Sequence, residues 1–276
     1  MSSPKISFIG GGNMGRALIG GLLERGAPRD TLRVGEAYEP SRAALARDFG
    51  VLVSAENDEA VADADVVVLA VKPQDASKVL VALQPIFRSK PPLVISIAAG
   101  IRLGDLETWC GPNVPVIRSM PNRPALVGAG ATGLFAPATV AEDKRSLAEN
   151  IMGAVGAVVW VQSEEALDVV TALSGSGPAY FFLLAELMMQ AGVNLGLTPE
   201  AARTLAVETL HGAGRLAHAS DGDLARLRAE VTSKGGTTAA AVTAFEAADL
   251  REIVARALTA ATERGRELAA QFGAQR

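Results

Sequence analysis

The chain of 276 residues contains one cysteine, Cys110, and two histidines, His211 and His218. A single cysteine excludes an intrachain disulfide and any zinc site built on paired cysteines, and two histidines exclude a multi-histidine centre, so no metal is expected. Lysine is scarce, being confined to Lys5, Lys72, Lys78, Lys90, Lys144 and Lys234, and the formal net charge is −4. Phosphate backbones are held by clustered lysine and arginine, so a nucleic-acid partner is not expected. Long apolar runs are also lacking. The run Ala179 to Leu184 falls far short of the ~18 residues that a membrane span requires, so no membrane partner is expected. Met1-Ser2-Ser3-Pro4-Lys5 leads straight into an apolar strand, with no h-region or cleavage site, which points to a reduced, cytoplasmic protein.

Proline is nearly missing from the second half. Twelve of the 14 prolines lie at or before Pro137, and only Pro178 and Pro199 follow. Proline is excluded from helix interiors, so the second half is free to form long helices. A length of 276 residues, at ~150 per domain, suggests two domains, and 49% apolar residues suffice for two cores. The expected division is 1–162 and 163–276.

What is present before residue 163 alternates between strand and helix. Ile6–Ile9, Leu32–Ala37, Val66–Val71, Leu93–Ile97, Val114–Ser119 and Val155–Val161 read as strands, and Met14–Glu24 and Ser41–Phe49 as helices, with Ser41 as N-cap. Continuous β-branched runs suit a parallel sheet covered on both faces. After residue 163 the grammar is helical: Glu164–Gly192, Pro199–Ala219 with Thr198 as N-cap, Asp223–Val231, Thr237–Ala248 and Leu250–Phe272.

The strand at Ile6 runs into Gly10-Gly11-Gly12-Asn13-Met14-Gly15 and then into a helix. This is G-x-G-x-x-G in a strand–turn–helix setting. The first glycine permits the tight turn, the second lets a pyrophosphate approach the backbone, and the third lets helix and strand pack closely. The expected fold is therefore an α/β N-terminal Rossmann-type domain with a doubly wound sheet, followed by an all-α C-terminal helical domain. An acid ~20 residues beyond the loop commonly binds the ribose 2′-hydroxyl of NAD. Glu36 fits that spacing, with Glu39 nearby, whereas Arg42 suits a 2′-phosphate. NADPH and NADH both remain open as cofactors.

Further segments carry a family resemblance: Ala70-Val71-Lys72-Pro73, Ser96-Ile97-Ala98-Ala99-Gly100, Met120-Pro121-Asn122, Ser174-Gly175-Ser176-Gly177-Pro178-Ala179-Tyr180 and Val231-Thr232-Ser233-Lys234-Gly235-Gly236-Thr237-Thr238. In this order and over nearly the whole chain they resemble the pyrroline-5-carboxylate reductases, enzymes of the last step of proline synthesis. The last two segments are the specific ones. Arg123 departs from the family's usual threonine, and Lys234 from its frequent proline.

The resemblance implies reduction of 1-pyrroline-5-carboxylate to L-proline by NADPH or NADH. It implies that Ala70, Val71, Lys72, Pro73, Ala98 and Ala99 line the nicotinamide half of the cofactor site and that Asn57 also touches the cofactor. Ser233, Gly235, Gly236, Thr237 and Thr238 would bind the small-molecule substrate, with Thr238 at the ring nitrogen as the catalytic residue and Glu164 as a substrate-side acid. It further implies a homodimer with interleaved helical domains, in some members a ring of homodimers, with the Gly235–Thr238 bend of one protomer facing the nicotinamide held by the other.

The chemistry agrees with the composition. A protonated imine accepts hydride readily, and its reduction requires positioning more than a histidine base or a metal. The Gly235–Thr238 bend offers backbone N–H groups at a helix start, suited to a carboxylate, though a plain interhelix turn has the same spacing. The Ser174–Pro178 segment is either a close backbone approach at the substrate site or a helix break. His211, His218, Trp109, Trp160 and Cys110 read as structural. A β-hydroxyacid dehydrogenase would need a catalytic lysine on the first long helix of the second half, and Glu164–Gly192 contains none. A reductase of another cyclic imine and a non-catalytic dinucleotide sensor remain as alternatives. The helix through Phe181-Phe182-Leu183-Leu184 is apolar on nearly every side and calls for burial by a second copy.

Overall fold

Runs of β-branched residues become strands buried on both faces. In the computed structural model, which describes residues 3–273, eight strands form one sheet: β1 (Ile6–Ile9), β2 (Leu32–Gly35), β3 (Leu52–Ser54), β4 (Val66–Leu69), β5 (Leu93–Ser96), β6 (Val116–Met120), β7 (Gly130–Phe135) and β8 (Gly156–Trp160). Their order is β3-β2-β1-β4-β5-β6-β7-β8. All pairs are parallel except β6 with β7. The run from β3 to β6 is the doubly wound dinucleotide-binding order, with its switch point between β1 and β4.

The alternation along β4 shows why the sheet is buried twice. Val66 and Val68 join one core with Phe8, Leu18, Ile19 and Ile117. Val67 and Leu69 join the other with Leu80, Leu83, Phe87 and Leu106. The helices that cover these faces are α1 (Asn13–Glu24), α2 (Glu39–Phe49), α3 (Asn57–Val61), α4 (Pro73–Ser89), α5 (Leu103–Cys110), α6 (Glu142–Met152) and the short α7 (Ala166–Val170). In α4 the buried residues are Ala76, Leu80, Leu83 and Phe87, one stripe at helical spacing.

Two features differ from the sequence reading. First, α2 begins at Glu39, with Tyr38 as its N-cap residue and Pro40 in its first turn. Ser41 therefore lies inside the helix, because proline is tolerated in a first turn and lets the helix start ahead of it. Second, Glu164–Gly192 is not one α-helix. After α7, Thr171–Gly175 winds as a π-turn, in which the Ser176 N–H donates to the Thr171 carbonyl at 2.8 Å. A new helix, α8 (Gly177–Asn194), then begins. Pro178 has no N–H, and this breaks the continuous ladder. The strands β3 and β7 were not legible in the sequence.

The chain divides into two compact units. One comprises the chain through Ser176 together with the segment from Ala261; the other is Gly177–Ala260. The helical unit contains α8, α9 (Pro199–Ala219), α10 (Leu224–Glu230), α11 (Thr237–Ala247) and the first part of α12 (Leu250–Gly273). Thr198 caps α9, its Oγ1 accepting the Ala201 N–H at 3.3 Å, and Asp223 caps α10 by accepting the Arg226 N–H at 2.9 Å. The end of α12 belongs to the sheet unit, where Ala269 is buried and Phe272 packs on the core that contains Leu80 and Phe87.

Candidate active site

The glycine-rich turn sits at the carboxyl end of β1, at the switch point. Gly10 has φ +97°, and a Cβ there would lie 2.7 Å from the Ala70 carbonyl oxygen. The Ala70 N–H in turn donates to the Ile9 carbonyl at 2.8 Å. A Cβ on Gly15 would lie 2.7 Å from the Gly10 carbonyl, so helix α1 closes directly onto the turn. Gly12, the N-cap of α1, is the opposite case. A Cβ there would meet nothing within 4 Å. The space above Gly12 and the free N–H groups of the first helical turn, with Asn13 and Met14, form a cradle for an anion.

Glu36 lies just beyond β2. Its Oε2 accepts the Gly11 N–H at 2.9 Å and its Oε1 accepts the Tyr38 N–H at 2.9 Å. The carboxylate thus ties the glycine-rich turn to the segment after β2. Arg42 is held on backbone carbonyls, its Nη1 donating to Glu36 at 2.8 Å and Ala37 at 3.1 Å. Asn57 opens α3, and its side-chain oxygen leaves no room for a Cβ on Gly35.

Two loops at neighbouring strand ends continue this edge. Ala70 and Val71 follow β4, Lys72 is the extended N-cap residue of α4, and Pro73 begins that helix. Ala98 and Ala99 follow β5, and the Ala98 N–H donates to Ser96 Oγ at 3.3 Å. Pro73, Ala98, Ala99, Arg118, Thr171 and Phe272 contribute to the lining of a cavity of about 230 Å³. All of them belong to the sheet unit.

Arg118 is the residue that sequence reasoning missed here. It lies on β6 and is 6% exposed. Its Nη1 donates to Glu164 Oε1 at 2.5 Å, and the same oxygen accepts the Leu103 N–H at the start of α5, also at 2.5 Å. Burial pulls the Arg118 guanidinium down from its ordinary range, and the Glu164 carboxylate beside it opposes that shift. A second pair, Arg102 with buried Asp168 at 2.9 Å, links the start of α5 to α7. Glu164 therefore sits among partners of the sheet unit. Its separation from Arg118 by 46 positions leaves no local sequence signal.

The other expected site residues lie together in the helical unit, between α10 and α11. Gly235 has φ +73°, and Gly236 is the N-cap of α11. The Gly236 N–H donates to the Ser233 carbonyl at 3.1 Å, and Ser233 Oγ lies where a Cβ on Gly236 would be crowded, at 2.5 Å. Thr237 and Thr238 occupy the first turn, where the leading N–H groups have no helical acceptor. Thr243 and Thr259 turn their hydroxyls onto carbonyls four residues earlier. Thr238 precedes any helical carbonyl at that spacing.

A glycine cradle at the switch point of a doubly wound sheet, with a helical unit attached, defines a dinucleotide-binding protein. Residues 5–100 match the description "NADP oxidoreductase coenzyme F420-dependent", and residues 164–268 match "Pyrroline-5-carboxylate reductase dimerisation". The chain is similar to the pyrroline-5-carboxylate reductase of Pseudomonas aeruginosa, with 47% identity over 273 residues, covering 99% of this chain and all of the relative. It is also similar to a solved pyrroline-5-carboxylate reductase of Coxiella burnetii, at TM-score 0.94 and 43% identity, covering 97% of this chain and 99% of that one. A solved Plasmodium falciparum pyrroline carboxylate reductase with NADP bound matches at TM-score 0.82 and 29% identity, over 98% and 99% of the two chains. The chain belongs to the pyrroline-5-carboxylate reductase family.

The dimerisation match covers the apolar stretch of the second half. By length and composition alone Ala166–Asn194 is apolar enough to cross a bilayer, but the π-turn at Thr171–Gly175 interrupts it.

Proposed function

We infer that this chain reduces 1-pyrroline-5-carboxylate to L-proline with NADPH or NADH, the last step of proline synthesis. The observation that carries this reading is the full-length match to reductases of that name. The cofactor fits the residues present, since the position above Gly12 is open while those at Gly10 and Gly15 are filled by backbone.

Gly10, Gly11, Gly12, Asn13, Met14 and Gly15 hold the pyrophosphate at the amino end of α1. Glu36 and Asn57 border the adenosine side. Ala70, Val71, Lys72, Pro73, Ala98 and Ala99 hold the nicotinamide half and exclude water from it. When bound, the reduced nicotinamide supplies the hydride. Ser233 and the N–H groups of Gly235 and Thr237 take the substrate carboxylate, with Gly236 holding the bend around it through its own N–H to the Ser233 carbonyl, and the dipole of α11 favours an anion there. The Thr238 hydroxyl holds the proton at the ring nitrogen, which makes the imine carbon a better acceptor. Glu164 serves the substrate side from its ion pair with Arg118. The rest is proximity and orientation.

The helical unit forms the homodimer, and each site takes its sheet unit from one protomer and its Gly235–Thr238 bend from the other. Rings of such dimers and a cytoplasmic setting complete the reading. The exposed apolar residues of α8 support the dimer, and the free, buried thiol of Cys110 suits a reducing setting.

The test is cofactor oxidation followed by absorbance. NADPH and NADH should be consumed when the cyclic imine is added, and NADP⁺ or NAD⁺ should not be reduced by β-hydroxyacids. No turnover of this imine, or faster turnover of a different cyclic imine, would overturn the assignment.

A further inference from the structure

Two sequence motifs remain without a role in this chemistry, Met120-Pro121-Asn122 and Ser174-Gly175-Ser176-Gly177-Pro178. The structure joins them. Pro178 has no N–H, so the Ser174 carbonyl loses the donor that an α-helix would supply four residues on. Asn122 supplies a donor from elsewhere, its Nδ2 donating to the Ser174 carbonyl at 3.0 Å. Its Oδ1 accepts the Ala131 N–H of β7 at 2.8 Å. One side-chain amide, 8% exposed, thereby pins the π-turn to the sheet. A second contact lies beside it: a Cβ on Gly175 would lie 2.7 Å from Met120 Cε, so the turn packs on the methionine only because Gly175 has none. π-turns inside helices recur at functional sites. This one carries Thr171, which lines the cavity shared with Met120, Pro73, Ala98 and Ala99.

We propose that Asn122 is a positioning residue for the reaction: by donating to the Ser174 carbonyl it fixes the π-turn, and so places Thr171 and Met120 in the wall of the pocket that holds the nicotinamide half of the cofactor. This rests on the reductase reading above. Misplacing such a wall lowers turnover more than binding, because most of the dinucleotide is held elsewhere on the sheet edge.

Asn122→Asp tests it in the full-length enzyme. The carboxylate keeps the acceptor for Ala131 but has no donor for Ser174, so kcat should fall about tenfold or more near neutral pH, while the Kd for NADPH stays within about threefold. As the pH falls the carboxyl takes up a proton and can donate again, so the variant-to-wild-type ratio of kcat should climb towards one. A ratio near one at all pH values, or a low ratio that does not change with pH, overturns the proposal. A second route does not depend on that variant. Asn122→Ala removes both bonds, so kcat should fall at every pH with no recovery in acid, while the Kd for NADPH again stays within about threefold. An unchanged kcat, or a cofactor affinity lost in step with kcat, also overturns it. Wild-type turnover of the imine is the control: its absence would sink the reductase reading, and its presence beside an unaffected Asn122 variant would sink only this one.

Discussion

The same residue type has opposite surroundings in the two units. In the sheet unit Phe8 and Phe87 are no more than 1% exposed, whereas on α8 of the helical unit Phe181 and Phe182 are 60% and 61% exposed. Leu183, Leu184, Leu187 and Met188 are exposed as well. Two core clusters flank the sheet, so most of its apolar side chains are buried within one chain. The helices of the second unit pack on one another only in part: Ala202 and Ala206 of α9 are buried, while the large apolar side chains of α8 stay exposed. The first unit is stabilised by its own core, whereas the exposed apolar side chains of the second lie within the dimerisation match over residues 164–268. An exposed apolar surface of this kind marks an interface.

The largest effect should come from charging the helical surface. Phe181 and Leu184 are three apart on α8 and lie on one face. The double substitution Phe181→Asp, Leu184→Asp would bury unpaired carboxylates in the dimer, weakening association by about a hundredfold or more. Sedimentation should show monomers with little reductase activity. Dimers that persist with full activity would break the comparison.

Phe87→Ala tests the other side. Its ring is buried beneath the sheet, so removal should cost about 3–5 kcal/mol of unfolding free energy. Chemical denaturation should show that loss while the dimer dissociation constant stays unchanged. The contrast is sharpened by Phe182→Ala, which should weaken the dimer and leave the sheet unit's unfolding nearly untouched.

The effect that is smallest at neutral pH concerns Cys110. Burial, with the Glu107 carboxylate adding to it, pushes the thiol from 9.0 up to about 12. The folded chain keeps this proton where the unfolded chain releases it. The contribution to stability is therefore complete below about pH 9 and lost progressively as pH rises towards 12. Urea unfolding over that range should fall more steeply with pH for the wild type than for Cys110→Ala, by up to about 1.4 kcal/mol per pH unit. Parallel curves would mean that the thiol is not held in the core.

The sequence made the comparison partly visible. β1, β4 and β5 are legible because β-branched runs end at glycine, proline or alanine loops, and the glycine cradle because its spacing is local. β7 was hidden because Gly130 and Gly133 lower its strand propensity. Each is there for close packing: a Cβ would lie 2.8 Å from the Val155 carbonyl at Gly130 and 2.7 Å from Val170 at Gly133. α4 was obscured by Pro85 within it, although Ala76, Leu80, Leu83 and Phe87 carry the helical spacing that would have revealed it. In the candidate site, Ser233–Thr238 was readable as a bend from its paired glycines. Arg118 with Glu164, and Asn122 with Ser174, were not, because each pair is assembled by the fold from segments about fifty residues apart.

The claim that one chain's helical unit completes another chain's sheet unit is tested by complementation. Gly12→Val blocks the cofactor cradle and Thr238→Ala removes the hydroxyl at the ring nitrogen, so each variant alone should be nearly inactive while still forming dimers. Mixed under subunit exchange, half of the dimers carry one site with both lesions and one with neither, and about a quarter of wild-type activity should return. If mixing restores nothing while mixed dimers demonstrably form, each chain builds its own site and the claim is contradicted.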